Sequence, residues 1–241
     1  MALDPGTNRL AVADTGNHRV QVFTLDPDSG TIAFAFAFGA SKSAVPGHFD
    51  SPRGIDIERD TGNLYVADTG NRRLQGFNPD GTLLYVGGYP VLIFGSGDFE
   101  LKGPQGIAVD PDHGIFVVDA EGSTDVDRVL HFAHDGAPLA FFGTHGGADG
   151  QFNWPLDIRL WRQAPLNPAH PVVNRLCVAD SSNGRIQLFS LDGTHLANVG
   201  VSGSANGELY LPAGCFPVAD SNLLYVADTG NSRLQWFGVT L

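Results

Sequence analysis

Apolar residues occur along this chain in short runs, and Gly, Pro, Asn and Asp separate the runs. Some runs alternate strictly between apolar and polar residues, as in RLQGF at 73–77. Alternation with a period of two is typical of half-buried β-strands. Because no long stretch carries the helical period of 3.6 residues, the pattern predicts an all-β fold.

One segment recurs along the chain. LAVADTGNHRVQVF at 10–23 returns as LYVADTGNRRLQGF at 64–77, LCVADSSNGRIQLF at 176–189 and LYVADTGNSRLQWF at 224–237. A degenerate copy, IFVVDAEGSTDVDRVLHF at 115–132, has four additional residues between its aspartate and its arginine. A proline and an apolar strand precede each later copy, and a turn and another apolar strand follow the first four copies. Each unit therefore predicts four short strands.

Five such units cover nearly the whole chain. They lie at about 1–39, 52–88, 104–143, 154–200 and 211–241. Four-stranded sheets repeated about every fifty residues are typical of propeller blades. We therefore predict one β-propeller domain over residues 1–241, built from four-stranded antiparallel blades. The last unit ends where a fourth strand is expected, so the last blade is predicted to be incomplete, and a part of a six-bladed ring is the alternative.

The repeated D-T-G-N-x-R motif is interpreted as structural, since its residues recur from unit to unit. Gly and Asn are expected to adopt the positive backbone angles of a tight hairpin, and Asp and Thr to bond the backbone of the turn. The arginine is expected to pair with an aspartate of its own or a neighbouring blade and to fix the register. The residues assigned to this role are Asp14, Asn17, Arg19, Asp68, Asn71, Arg73, Asp180, Asn183, Arg185, Asp228, Asn231 and Arg233.

The pattern P-x-G-I-x-x-D, followed by L-Y-V-A-D-T-G-N-x-R-L/V-Q-x-F, resembles the NHL repeat family, whose members form β-propellers. The resemblance implies a rigid scaffold with binding loops on one face around a central channel. It also implies a choice of roles, because members include protein- and RNA-binding platforms and related propellers include enzymes such as amidating lyases. Family propellers commonly have six blades, whereas five units are visible here.

The net charge of the chain argues against one of these roles, RNA binding. Lys and Arg total 14 against 26 Asp and Glu, which gives a formal net charge of −12. The largest basic cluster is Arg72–Arg73, so nucleic acid is not a predicted partner. No run of apolar residues is long enough to span a membrane, and the first residues show no signal-peptide pattern. The sequence thus predicts an acidic, soluble protein and leaves its compartment open.

Candidate binding residues are those that differ between units in the loops around the channel mouth, because loops on a rigid scaffold carry most binding sites. The residue after the strand-one proline differs from unit to unit, and aromatic residues occur in the long loops that lead into the strands. The predicted binding residues are Arg53, Gln105, Asp157, Trp154, His18 and Arg72.

No cofactor is predicted, and two metal sites are weak alternatives. The acidic loop of the third unit carries Asp119, Glu121, Asp125 and Asp127, whose oxygens suit Ca²⁺, although the spacing is not that of an EF-hand. A zinc site would need histidines from several blades, for which His18, His48 and His145 are candidates. The two cysteines, Cys177 and Cys215, are predicted to be free and buried in strands.

We favour a non-catalytic platform that binds a protein partner or a small polar ligand through the loop face. The first alternative is a propeller enzyme of lyase or hydrolase type, with or without a metal, and a site at the channel mouth. The second is an assembly subunit whose ring a partner chain completes. Self-association through the incomplete last blade is a further expectation, because uncovered strands promote association.

Overall fold

The computed structural model describes residues 1–86, 89–94, 97–122, 126–163 and 173–239, with the backbone alone at 85, 86, 89, 90, 163 and 173. The regular elements in these ranges are β-strands and short 3₁₀ turns, arranged in antiparallel blades. The predicted all-β, β-propeller fold is therefore confirmed. No helix in the described ranges is long and apolar enough to cross a membrane.

Each repeat unit forms its own blade, numbered 1 to 5 along the chain. Blade 1 consists of β1 (Ala2–Asp4), β2 (Arg9–Asp14), β3 (Arg19–Asp26) and β4 (Thr31–Phe38). Blade 2 is built on β5 (Ile55–Ile57), β6 (Leu64–Asp68) and β7 (Arg73–Phe77). Blade 3 consists of β11 (Pro104–Asp110), β12 (Gly114–Ala120), β13 (Asp127–Phe132) and β14 (Pro138–Phe142). The strands in these blades follow chain order, as expected for a meander.

The second half of the chain repeats the arrangement. Blade 4 consists of β15 (Pro155–Gln163), β16 (Val173–Asp180), β17 (Arg185–Ser190) and β18 (His195–Val199). Blade 5 has three strands in the described residues, β21 (Pro212–Pro217), β22 (Leu223–Asp228) and β23 (Arg233–Gly238). Before it, β19 (Val201–Ser202) and β20 (Glu208–Leu209) form a parallel pair inside the connecting loop.

The fourth strand of blade 2 differs from the prediction, which placed it at 81–88. Beside β7 lies β10 (Leu92–Ile93), while β8 (Tyr85–Val86) and β9 (Tyr89–Pro90) form a separate hairpin. Gly76 accounts for the difference, because its N–H donates to the carbonyl of Val91 and its carbonyl accepts from the N–H of Leu84. The chain therefore loops out after residue 84 and returns to complete the blade.

By compactness the chain divides into two units. Unit 1 comprises residues 1–117 and 131–140, and unit 2 comprises residues 118–130 and 141–241. Blades 1 and 2 belong to unit 1, blades 4 and 5 belong to unit 2, and blade 3 contributes residues to both.

The hydrophobic core lies between neighbouring blades. In unit 1, Ala11, Val20 and Val22 of blade 1 pack in one cluster with Ile55 and Phe77 of blade 2. In unit 2 the corresponding faces of blades 4 and 5 form a second cluster, which includes Ile186, Leu188, Cys215 and Val226. Each strand thus buries its alternate side chains against the next blade, as the period of two requires.

The two cysteines are free and fully buried, as the sequence predicted. Cys177 lies in β16 of blade 4, and the Cys215 thiol lies 3.5 Å from the Cys177 carbonyl oxygen. Burial raises the pKa of both thiols, and the nearby Asp157 carboxylate adds to the increase. These sulfur atoms therefore behave as small apolar groups of the core.

The motif forms a tight 3₁₀ turn between the second and third strands of blades 1, 2, 4 and 5. The prediction that Gly and Asn take the positive backbone angles is wrong, since that conformation belongs to the residue after the asparagine. Gly70 has another reason to be glycine, because a Cβ there would lie 2.5 Å from the Cγ of Asp50.

The motif aspartate is the centre of a hydrogen-bonded cluster. In blade 2, Asp68 is fully buried and accepts from Asn71, from Arg73 Nε at 2.7 Å and from Gln75 Nε2 at 3.0 Å. Blades 1, 4 and 5 repeat these bonds around Asp14, Asp180 and Asp228. The arginine therefore pairs with the aspartate of its own blade, which is one of the two pairings that the sequence left open.

In blades 2, 4 and 5 the cluster also fastens the loop that leads into the blade, which we call the lead-in loop (residues 39–51, 143–154 and 200–211). In blade 2, Asp68 accepts from the backbone N–H of Asp50, while Arg73 and Gln75 donate to the carbonyl of His48. Arg185 and Gln187 bond the carbonyl of Gln151 in the same manner. Arg233 and Gln235 do so with Glu208.

The hydroxyl group of the motif joins one blade to the next. Thr15 donates to the carbonyl of Pro52, and Thr69 donates to that of Pro104. Ser181 makes the same bond to Pro212 in unit 2. The motif therefore orders its own hairpin, its lead-in loop and the start of the following blade.

Removing the buried carboxylate should destabilise the fold. We expect Asp180→Ala to lower the free energy of unfolding by about 3 kcal/mol, because it leaves Arg185 and Gln187 without their shared acceptor. Urea denaturation measures the change. Asp14→Ala is the matched control, since Asp14 is partly exposed and accepts from Asn17, Arg19 and Gln21 of its own blade. Equal losses in the two variants would contradict this account.

Candidate functional site

The motif turn lies at one end of each of blades 1, 2, 4 and 5, which we call the motif end. Two positions there hold residues with a left-handed backbone. The first follows the motif asparagine and is occupied by His18, Arg72, Gly184 and Ser232, with φ between 52° and 63°. The residue type changes from blade to blade while the backbone conformation stays the same.

The second position lies just before the strand-one proline. Ser51, Trp154 and Leu211 occupy it with φ of 51°, 52° and 49°. The residue immediately before each of them donates its N–H to the buried motif aspartate. A left-handed backbone costs a non-glycine residue about 1–2 kcal/mol. The cluster therefore holds these residues in a conformation that they would not adopt alone.

In unit 1, charged groups surround Asp50. Its carboxylate lies 3.2 Å from the Lys42 ammonium and 3.6 Å from Nδ1 of His18. The backbone N–H of Ser51 donates to the same Nδ1 at 3.0 Å. Because Nδ1 accepts, neutral His18 carries its proton on Nε2. Burial raises the pKa of Asp50, but the bonds from Lys42 and Ser51 outweigh it, and the pKa is lowered overall.

Arg53 and Gln105, both predicted binding residues, are brought together. The Arg53 guanidinium donates to Oε1 of Gln105 at 2.8 Å, and the Gln105 amide donates to the carbonyl of Gly103. Gln105 is buried and Arg53 is exposed, so the glutamine positions the arginine. Arg72 is also exposed and lies two residues after Gly70, whose N–H bonds the carbonyl of Asp50. Unit 1 therefore presents several cationic groups near its motif end.

Trp154 and Asp157 belong to unit 2. The Trp154 ring lies so close to Gly122 that a Cβ there would be 2.1 Å from its Cζ3 atom. Asp157 pairs with Arg159 at 3.2 Å and accepts the N–H of Cys215. Asp157 thus bonds blade 5, much as Asp56 bonds the N–H of Val109 in unit 1. These contacts give Asp157 a structural role besides the binding role predicted for it.

The acidic loop of blade 3 holds its carboxylates apart in separate pairs. Asp119 is buried and lies 3.4 Å from Arg128, while Asp127 lies 2.6 Å from Nδ1 of His145. Glu121 is described, whereas Asp125 lies outside the described residues. Among the residues that the structure describes, no group of three His, Cys, Asp or Glu side chains is placed to hold a metal ion.

The histidines proposed for zinc have separate partners. His18 bonds Ser51, and Nδ1 of His48 lies 2.8 Å from the Ser41 hydroxyl. His145 pairs with Asp127 in unit 2. An imidazole oriented by a buried carboxylate is an arrangement that general-base catalysis uses.

Sequence reasoning missed the Lys42–Asp50 pair and the left-handed position before the proline. The pair joins two residues of one lead-in loop that differ between units, so repetition gave no signal. The position before the proline was visible, because Ser51, Gly103, Trp154 and Leu211 all precede the proline that opens a first strand. The residue before a proline is usually extended, which is why a left-handed backbone was not expected there.

Loss of the Lys42 ammonium should raise the pKa of Asp50. We expect Lys42→Met to move it from its lowered value towards the ordinary value of about 3.9, because the bond that favours the carboxylate is removed. A pH titration of carboxyl carbon shifts by NMR measures it. Lys102→Met, which removes the ammonium beside Glu100, is the control and should leave Asp50 unchanged. An unchanged Asp50 pKa in Lys42→Met would contradict the assignment.

Comparison with curated proteins finds enzymes that share part of the sequence. The chain is 28% identical over 179 residues to the peptidyl-glycine alpha-amidating monooxygenase of Mus musculus, covering 71% of this chain and 16% of that protein. It is 28% identical over 217 residues to monooxygenase A of Xenopus laevis, covering 78% and 21%. The chain thus spans about a fifth or less of the length of these relatives.

Solved structures share the fold at lower identity. A gluconolactonase from Xanthomonas campestris is 17% identical with a TM-score of 0.57, covering 93% of this chain and 67% of that chain. A nidogen/laminin complex contains a chain that is 18% identical with a TM-score of 0.52, covering 82% and 61%. At these identities the likeness concerns the fold.

The family comparison agrees with the repeat analysis. The NHL repeat model matches residues 1–23 and 49–77, which contain the motif copies of blades 1 and 2. The resemblance to the NHL repeat family is thereby confirmed, and these segments of the chain are NHL repeats.

Proposed function

We propose that this chain is a non-catalytic interaction platform that binds through the motif ends of its blades. The observation that carries the proposal is the pair of left-handed positions, which present different side chains on one fixed backbone. Strained backbone conformations concentrate at binding sites and catalytic sites. Here the strain falls on variable residues, while the residues that impose it are repeated.

A preorganised surface favours binding. Ordering a loop on association costs free energy, and a loop that is already ordered avoids that cost. In blades 2, 4 and 5 the buried aspartate, the arginine and the glutamine all bond the lead-in loop. The platform is therefore rigid before any partner arrives.

The charges of unit 1 suggest what the partner carries. Arg53 and Arg72 are exposed and Lys42 lies largely in solvent, although the whole chain has a net charge of −12. A local cationic site on an acidic protein attracts an acidic side chain or a small anion and disfavours cationic partners. We assign this role to an acidic segment of a protein partner, with a small polar ligand as the alternative occupant. The likeness in fold to a chain of a nidogen/laminin complex supports a protein partner.

A glycine substitution separates binding from folding. Peptides that bind the protein, selected by display, should bind Arg72→Gly at least about tenfold more weakly, a change of about 1.4 kcal/mol. Thermal stability should be retained, because glycine adopts the left-handed backbone without strain and Gly184 already occupies the same position in blade 4. Binding is measured by calorimetry, and stability by thermal unfolding.

Arg59→Ala is the matched control. Arg59 is exposed and follows the first strand of blade 2, at the end of the blade opposite the motif turn. Its removal should leave peptide affinity unchanged. The proposal is contradicted if the peptides bind Arg72→Gly as well as the unchanged protein but bind Arg59→Ala more weakly. The binding surface would then lie at the end of the blade opposite the motif turn.

The second candidate function is a propeller enzyme of hydrolase type. The contact of 2.6 Å between Nδ1 of His145 and the carboxylate of buried Asp127 favours it, since the carboxylate fixes the orientation of the imidazole. The curated relatives are enzymes, and a gluconolactonase has a similar fold. The lyase alternative rests on the same pair.

Hydrolysis of gluconolactone by the purified protein tests this candidate. If His145 is the base, His145→Gln should reduce the rate at least about a hundredfold, and the rate should fall at pH values at which the imidazole is protonated. His113→Gln is the control, because His113 also pairs with a buried aspartate, Asp110, in blade 3. If both variants hydrolyse gluconolactone at the rate of the unchanged protein, His145 and Asp127 are not the catalytic pair.

A further inference from the structure

One nitrogen atom of His18 lies between a hydrogen-bond donor and an acceptor of the next blade. Nδ1 accepts from the backbone N–H of Ser51 at 3.0 Å, and Oδ1 of Asp50 lies 3.6 Å from the same nitrogen. His18 ends the motif turn of blade 1, whereas Asp50 and Ser51 end the lead-in loop of blade 2. A neutral imidazole accepts at Nδ1, but an imidazolium ion can only donate there. The charge of the ring therefore decides which of the two neighbours it bonds.

The imidazole is a feature of this junction between blades and not of the repeat. The residues that correspond to His18 are Arg72, Gly184 and Ser232. In unit 2, Leu211 corresponds to Ser51, and Gly184 of the preceding blade has no side chain that could bond its N–H. The fold of a blade thus does not require this contact.

Of the two neighbours, Asp50 is fixed and Ser51 is strained. The N–H of Asp50 donates to buried Asp68 at 2.7 Å, and its carbonyl accepts from the N–H of Gly70 at 2.8 Å. Ser51 has a φ of 51°, a left-handed conformation that is unfavourable for serine and unusual before a proline. Loss of the bond to His18 would therefore leave Asp50 in place and allow Ser51 to change its backbone conformation.

The charges around the ring favour its protonated form bonding to Asp50. The charged and titratable groups on the two segments are Asp14 and Arg19 of the motif turn, and Lys42, His48, Asp50 and Arg53 of the segment that leads into blade 2. All of these except Lys42 and Asp50 have partners elsewhere. A carboxylate at this distance stabilises an imidazolium ion. The His18 side chain is 25% exposed, so protons reach it from solvent.

We propose that His18 is a pH-dependent switch between blades 1 and 2. The neutral ring accepts from Ser51 and holds it on its left-handed backbone. When Nδ1 takes up a proton from water, it donates to Asp50, and the N–H of Ser51 loses its acceptor. Ser51 then returns to the extended backbone that residues before a proline adopt. Weaker binding of a partner at acidic pH would follow only if the proposed function is correct, whereas the switch itself does not depend on it.

NMR spectroscopy of the 241-residue protein without any partner tests the switch between about pH 8 and about pH 5. Ring nitrogen shifts report the protonation of His18, and amide hydrogen exchange, corrected for the intrinsic rate at each pH, reports the bond of Ser51. We expect the protection of the Ser51 amide to fall at least about tenfold, with the same midpoint as the His18 titration. The Asp50 amide is the internal control and should stay protected, because it bonds Asp68.

Three variants separate the parts of the switch. Asp50→Asn should move the His18 and Ser51 transitions together to lower pH, because it removes the carboxylate that favours the imidazolium ion. His18→Gly should leave the Ser51 amide unprotected at every pH, and glycine adopts the left-handed backbone without strain. His48→Gln is the matched control, since it removes the other imidazole of this lead-in loop, which lies beside Ser41, and should leave the Ser51 transition unchanged.

Constant protection of the Ser51 amide while His18 titrates would overturn the proposal. Simultaneous loss of protection at Ser51 and Asp50 would also overturn it, because the whole loop would then loosen. The same holds if the Ser51 transition persists in His18→Gly or disappears in His48→Gln. Thermal unfolding confirms that each variant is folded.

Discussion

The structure depends on a buried carboxylate that accepts several hydrogen bonds at once. Asp68 is removed from water, which is unfavourable for a charged group unless its acceptor sites are filled. Asn71, Arg73 and Gln75 fill them from within the blade, and the N–H of Asp50 fills the last from the lead-in loop. Since a partly satisfied network of this kind is costly, the loop must occupy one position for the hairpin to be stable.

The surroundings of the aspartate modify its electrostatics. In blade 4, burial dominates and raises the pKa of Asp180, although the bonds from Asn153, Asn183 and Arg185 oppose it. In blade 5 burial acts in the same direction on Asp228, but the corresponding bonds outweigh it and lower the pKa. Blade 5 is open on one face, so fewer protein atoms displace water around its cluster. The same four residues therefore hold their aspartate at a raised or a lowered pKa according to what packs beside them.

Repetition made the fold readable from the sequence. Asp14, Asp68, Asp180 and Asp228 recur with the same neighbours, so the blades and their hairpins could be predicted from pattern and turn chemistry. The same argument failed for the conformation of the turn, because the left-handed residue is Arg72 and not the Gly and Asn that usually favour it. Contacts between residues that differ from unit to unit, such as Lys42 with Asp50 or His145 with Asp127, leave no trace in a repeat, since each occurs once.

The repeated residues and the residues beside them have different roles in the structure. The repeated residues satisfy one another, and their hydrogen bonds force the neighbouring residues Ser51, Trp154 and Leu211 into one backbone conformation whatever their side chains. The backbone conformation is therefore set by the cluster and not by the side chain that each position carries. The Trp154 ring packs against Gly122, whereas the Leu211 side chain is partly exposed. The scaffold thus explains how one repeated motif can hold different side chains on the same backbone in blades 2, 4 and 5.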